Sequence, residues 1–145
     1  GVIPIPTLKE QLEPYINGKY IVKNVMQLER VSGEYFIDYN NDCANIRTNT
    51  VHFIGCSNLV VNIPRYRSPI LAFSNGCKDI KIVFGGLNNV TIHVFNGCNL
   101  ELDINTLDIA KSIRIVRYGK DISIRNSKDN FYQNIKVEKK EFKIK

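Results

Sequence analysis

A Gly-Cys pair returns through the middle of this chain at a fixed interval. Cys56, Cys77 and Cys98 stand 21 residues apart, each preceded by glycine, and Gly119-Lys120 falls about one further period on. The repeating rows are His-Phe-Ile-Gly-Cys-Ser-Asn-Leu-Val-Val at 52–61, Phe-Ser-Asn-Gly-Cys-Lys-Asp-Ile-Lys-Ile at 73–82, Phe-Asn-Gly-Cys-Asn-Leu-Glu-Leu at 95–102 and Arg-Tyr-Gly-Lys-Asp-Ile-Ser-Ile at 117–124. Self-similarity near twenty residues is the mark of a solenoid, because each unit can bury its apolar face only against its neighbours.

The alternation within each row decides what kind of solenoid. Val51, Phe53, Leu59, Val61 and Ile63 share one side of an extended chain, followed by Ile80, Ile82 and Phe84, then Val90, Ile92 and Val94, then Leu100, Leu102 and Ile104, then Ile113, Ile115, Ile122 and Ile124. A period of two with β-branched inward residues is a half-buried strand and excludes helical repeats. Gly-Cys, Gly85-Gly86 and Asn88-Asn89 supply the corners, since Gly and Asn tolerate the left-handed backbone that corners require. The expected fold is all-β, a single-stranded parallel β-helix of about 21 residues per coil. Stacked asparagines at the corners are expected to tie one coil to the next.

The 145 residues form one domain with four parts. Residues 1–18 cap the N-terminal end: Pro4 and Pro6 hold the chain extended, Thr7-Leu8-Lys9-Glu10 is a capping box, and Pro14 stops a short helix. Residues 19–50 are irregular first coils, opened by the turn signal Asn17-Gly18. Residues 51–125 are the regular coils, interrupted by Pro64-Arg65-Tyr66-Arg67-Ser68-Pro69, a rigid exposed loop between two prolines. Residues 126–145 form a closing strand and basic tail whose charges block end-to-end stacking.

A chain of this length buries roughly 70% of its unfolded surface without staples. The three in-file cysteines therefore read as reduced thiols filling the core, which points to a reducing environment, intracellular or virion-associated. No metal site is expected, because no Cys or His pair has ligand spacing. No signal peptide and no membrane-spanning run is visible. The net charge of +6 is uneven: residues 1–110 carry nine Lys or Arg against ten acids, and residues 111–145 carry eleven against four. That end suits an acidic partner or is simply solvated edge protection.

No constellation amounts to a reaction, and neither enzyme activity nor a cofactor is expected. His52 and His93 should face outward on separate coils about two rungs apart, too far for one metal. The outward acids Asp79, Glu101, Asp103 and Asp121 offer a carboxylate pair of the kind glycoside hydrolysis needs, but Asp79 and Asp121 also suit corners, and tryptophan is absent. A binding surface fits better. Arg65, Tyr66 and Arg67 in the loop, with Arg114, Arg117, Tyr118, Lys120 and Arg125 on later coils, are the residue types found at binding hot spots. A protein or an anionic polymer is the expected partner. Nucleic acid is disfavoured because only Tyr66 and Tyr118 interleave with the basic residues. Self-association as a dimer or trimer stays open.

The row at 73–82, with its neighbours at 53–61 and 95–102, resembles coils of the right-handed β-helical domain shared by cyclase-associated proteins and tubulin-folding cofactor C. Similar rows occur in phage and viral fibres and in adhesins. The fibre resemblance implies a non-enzymatic attachment or structural module presenting a rigid face. The cyclase-associated-protein resemblance implies a domain binding monomeric actin. A polysaccharide-active β-helix enzyme is the third reading.

Overall fold

A computed structural model describes residues 13–15, 19–23, 27–38, 50–86, 88–104, 107–126 and 135–140, with the side chains of all but 13–15 and 107. The strands are β1 (Glu13–Tyr15), β2 (Lys19–Val22), β3 (Gln27–Glu29), β4 (Gly33–Ile37), β5 (Thr50–Ile54), β6 (Ser57–Ile63) and β7 (Ile70–Ser74). They continue with β8 (Lys78–Phe84), β9 (Val90–Val94), β10 (Asn99–Asp103), β11 (Ile113–Tyr118), β12 (Ser123–Asn126) and β13 (Lys136–Lys140). A five-residue helix, α1 (Leu107–Lys111), lies between β10 and β11. The expected capping helix falls mostly before residue 13, outside the described residues. Pro14, expected to end it, lies in β1, paired antiparallel with Tyr20.

Each turn adds one strand to each of two sheets. The first sheet has the order β1-β2-β4-β6-β8-β10-β12 and the second β13-β11-β9-β7-β5-β3. Every pairing except β1 with β2 is parallel. The turn length of 21 appears directly in the register of β6 on β8, where Val61 meets Ile82. The architecture is therefore the parallel solenoid expected from the Gly-Cys period.

Between the sheets lies one continuous core, and the alternating residues fill it. Val51, Phe53, Leu59, Val61, Ile82, Ile92, Val94, Leu102 and Ile115 are all about fully buried, each worth on the order of 2 kcal/mol relative to exposure. Phe53 and Phe73 stack at 5.2 Å on adjacent turns. The alternation fails at β7, where Ile70 and Ala72 on the outer face are buried together with Leu71 and Phe73.

The cysteine file is real and longer than its sulfurs. Cys56, Cys77 and Cys98 are free and buried. The Cys56 amide donates to the Cys77 sulfur at 3.3 Å, and the Cys56 thiol donates to Leu28 O at 3.3 Å. Arg30 N–H bonds Ile54 O as Gly55 N–H bonds Ser74 O, so Arg30 takes the corner place of Gly55 and Val31 that of Cys56. At the other end the sequence register is corrected. Asn99 pairs with Ser123, which puts Ile122 beside Cys98 and leaves Lys120 exposed in a wider corner. A buried lysine without a counter-charge is too costly for that place. Gly119 and Asp121, at φ 95° and 58°, absorb the extra residues.

Register steps vary elsewhere too. Leu102 lies on Ile82, a step of 20, because Cys77-Lys78-Asp79-Ile80 holds one residue more than Cys98-Asn99-Leu100. The surplus residue is Asp79, at φ 55°, and Asn58 fills the same place one turn earlier at φ 52°. Leu102 pairs onward with Asn126, a step of 24, because α1 occupies the corner with Ile109 and Ala110 buried. Two corner asparagines bond neighbouring backbone. Asn126 Oδ1 accepts from Ile104 N–H at 3.4 Å, and Asn96 Oδ1 accepts from Lys120 N–H. The last described strand, β13, pairs with β11 and carries Lys136, Lys139 and Lys140.

Candidate functional site

The expected binding residues fall into four places. Arg65, Tyr66 and Arg67 occupy the loop between β6 and β7, on the long-corner edge. Arg114 and Tyr118 lie on the outer face of the second sheet, Arg117 near the end of β11 and Lys120 in the wide corner after it, and Arg125 on the outer face of the first sheet. They do not form one surface, and most of them serve the fold.

Arg114 forks onto Glu138 of the next turn at 2.8 and 2.7 Å. That guanidinium holds the Glu138 carboxyl below the usual carboxylate range. Arg117 donates to Ile122 O at 2.8 Å and closes its corner. Arg125 pairs with Glu101 at 3.3 Å. Tyr118 lies 3.0 Å from His93 Nδ1 and stacks on Phe95 at 4.6 Å, and burial raises its phenol above the ordinary value.

The loop at 64–69 is built differently, and its parts all converge on Tyr66. Gly85 of the next corner lies so close under it that a Cβ there would stand 2.9 Å from Arg65 N and 3.1 Å from Ile63 O. Asn88, 1% exposed, donates its amide to Pro64 O at 2.8 Å and to Arg67 O at 3.1 Å. The Asn88 Oδ1 accepts from Gly86 N–H at 3.0 Å, which fixes the orientation of the amide. Arg67 reaches back to the preceding turn, its Nε donating to Asp38 at 2.9 Å, and its own N–H closes a turn onto Pro64 O at 3.2 Å. The loop is thus bonded to the turn before it and the turn after it.

What this clamp presents is an aromatic side chain in an unfavourable backbone state. Tyr66 has φ 68° and is 63% exposed, the exposed large hydrophobic side chain among the described residues. Left-handed backbone costs a bulky residue on the order of 1 kcal/mol or more. The ring returns little burial to its own fold. Its described contact is the Arg65 guanidinium, 5.0 Å from the ring centroid, an exposed cation–π pair worth about 0.5–1 kcal/mol. Sequence reasoning found the loop through its prolines and basic-aromatic content. It read Gly85 and Asn88 as corner residues and missed that they hold this loop, because they belong to another turn and the pairing shows only through the 21-residue register.

The histidines correct one expectation. Both sit on the outer face of the second sheet, on the row His52, Ala72, His93, Val116 and Glu138. Neither is freely exposed: His52 is half-buried and His93 is 8% exposed. Aromatic neighbours are the reason, with Phe95 beside His52 and Tyr118 beside His93. Burial lowers both below the usual histidine value, and Arg114 and Lys140 lower His93 further against the opposing pull of Glu138. His52 Nε2 lies 2.8 Å from Ser74 Oγ. Among the described residues no carboxylate bonds the other ring nitrogen of His52, the position of the orienting acid in a catalytic triad. Among the same residues no group of three or more His, Cys, Asp or Glu is placed to hold a metal, and no helix is long and apolar enough to cross a membrane.

Two of the four acids considered for glycoside hydrolysis share one groove. Asp79 and Glu101 line a groove on the first sheet, Asp103 pairs with Lys81 at 3.8 Å, and Asp121 serves its corner at φ 58°. Comparison of the chain with protein-family models, with curated proteins and with solved structures finds no match.

Proposed function

We propose that this solenoid is a non-enzymatic binding module of the attachment type, and that the Arg65–Tyr66 tip is its anchor for a protein partner with an acidic surface. The observation that carries the reading is the cost accepted at Tyr66. A strained, exposed aromatic held by a buried amide is expensive to the fold, and strain of this kind concentrates at binding and switch positions. Tyr and Arg are the side chains most often found at the centre of interfaces. A loop bonded to two adjacent turns also loses little entropy on binding, so affinity is not spent on ordering it.

The test compares the wild-type chain with Tyr66→Gly, a change compatible with φ 68° that leaves the clamp intact. A photo-crosslinker placed at Arg65 should capture a defined acidic protein from the natural source. The captured protein, purified, should then bind wild-type chain at least tenfold more tightly than Tyr66→Gly. Equal affinity for the two chains would reject the tip as the anchor. Preferential binding of a polyanion such as heparin, insensitive to Tyr66→Gly, would replace the protein partner with a charge-driven one on the basic C-terminal turn.

A further inference from the structure

We propose that the outer face of the first sheet carries a second binding site, for a neutral, hydroxyl-rich ligand of the saccharide class, in the groove across β8, β10 and β12. The groove encloses about 380 Å³ and is lined by Asp79, Lys81, Asn99, Glu101, Ser123 and Arg125, with Ile80 and Leu100 at its floor. It follows from the register step of 20 described above. The turn of β8 holds the surplus residue Asp79, and the turns of β10 and β12 lack it, so the face steps from Asp79 to the in-register pair Asn99 and Ser123.

The side chains around the groove select the ligand class. Asp79 and Glu101 against Lys81 and Arg125 give the lining a formal charge of zero, and Asp103, which pairs with Lys81 beside it, leaves Asp79 as the carboxylate without a cation among the described residues. The cations are already satisfied on this face, Arg125 by Glu101 at 3.3 Å and Lys81 by Asp103 at 3.8 Å. An anion would have to face the Asp79 carboxylate and draw Arg125 or Lys81 out of a pair already made, and a cation would have to lie beside Arg125 and Lys81 to reach Asp79. A neutral ligand whose hydroxyls both donate and accept meets these groups without breaking any pair. Asp79, Asn99 and Ser123 have no side-chain partner among the described residues, and supply a charged acceptor, an amide with both functions and a hydroxyl. The absence of an aromatic wall means no stacking platform, so a disaccharide is expected to bind with a dissociation constant on the order of 1 mM.

The experiment follows backbone amide chemical shifts of the full chain during titration with cellobiose and with maltose. Glycine, galacturonate and glucosamine serve as charged or zwitterionic controls. A neutral disaccharide should move the amides of Lys81, Glu101, Ser123 and their neighbours together and saturably. Asp79→Asn should weaken that binding about three- to tenfold, the difference between a charge-assisted and a neutral hydrogen bond. Asparagine tolerates the backbone there, as Asn58 does one turn earlier, and Ser123→Ala provides a second, independent variant expected to weaken binding. Tyr66→Gly should leave the titration unchanged, which separates this site from the tip. Absence of saturable shifts with both disaccharides would overturn the proposal. Saturable shifts with glycine, galacturonate or glucosamine alone, or affinity indifferent to both Asp79→Asn and Ser123→Ala, would overturn it equally.

Discussion

Replacing Asn88 by alanine should unlock the tip, and the size of the effect can be worked from its bonds. The side chain makes three hydrogen bonds at 2.8, 3.1 and 3.0 Å while 1% exposed. Alanine leaves Pro64 O, Arg67 O and Gly86 N–H without that partner. A net hydrogen bond is worth about 1 kcal/mol, and a buried group left unsatisfied costs about 1–3 kcal/mol. Water reaches some of this corner, so a loss of about 2–4 kcal/mol is expected. With a urea slope of roughly 2 kcal/mol per molar, the unfolding midpoint falls by about 1–2 M.

Stability loss alone would not show that Asn88 holds Tyr66 in its strained state, so the change is combined with Tyr66→Gly. In the wild-type background glycine relieves the positive φ, a gain of about 1 kcal/mol, against the lost Arg65 contact of about 0.5–1 kcal/mol, which is lost in either background. In the Asn88→Ala background the loop relaxes by itself, and the gain should vanish. The cycle therefore gives a coupling of about 0.5–1 kcal/mol between residues whose side chains are not in contact. An Asn88→Ala midpoint within error of wild type, or an equal Tyr66→Gly gain in both backgrounds, would refute the clamp.

Three further outcomes are expected. Gly85→Ala should cost more than about 2 kcal/mol, because its Cβ meets backbone at 2.9 and 3.1 Å, whereas Gly76→Ala, with nothing within 4 Å but φ 67°, should cost only about 1 kcal/mol in thermal or urea unfolding. Stability should fall on acidification from about pH 6.5 downward: the folded pKa values of His52 and His93 are depressed, so the unfolded chain binds the protons first, and stability held above the unfolded value is lost as pH drops through the folded ones. His93→Gln should flatten part of that slope in midpoints measured at about pH 7 and pH 5. Hydrogen bonding from Cys77 brings the Cys98 thiol down to about 7, yet its side chain is fully buried, so Cys56, Cys77 and Cys98 should react with a thiol reagent only as fast as the solenoid opens, with rates that rise together in urea.

The fold was legible because two signals coincide between 51 and 104, the Gly-Cys interval and the alternation of apolar residues. Either alone is ambiguous, but together they set turn length, strand direction and the inward face. What the sequence concealed lies wherever the turn length departs from 21. Gly119-Lys120 imitates the earlier corners, yet the extra residues of α1 and of the corner itself move Ile122 into the file. Only the demand that a core place be apolar could have shown that. Helix α1 has too few residues for a periodic signal and forms because Ile109 and Ala110 are buried by tertiary packing.

The same departures from regularity are where binding chemistry became available. A solenoid of identical turns presents flat sheets whose outer side chains pair with their neighbours up and down the stack, as Arg114 does with Glu138 and Lys19 with Glu34. Such a face offers a ligand little that is not already engaged. At the 64–69 loop the chain spends six residues on one corner and clamps them from the turns on either side, which lets Tyr66 stand out at a positive φ. After Asp79 the next turn lacks the matching residue, and Asn99 and Ser123 lie in register with each other without side-chain partners among the described residues. Both sites are faults in the repeat held in place by the regular turns around them. It follows that restoring regularity should remove binding without loss of stability. Inserting one asparagine after Asn99, to give β10 the Cys-x-x-apolar spacing of β6 and β8, should fill the groove and abolish saccharide binding while the unfolding free energy stays within about 1 kcal/mol of wild type. An insertion variant that still binds the disaccharide would show that irregularity of the turn is not what makes the site.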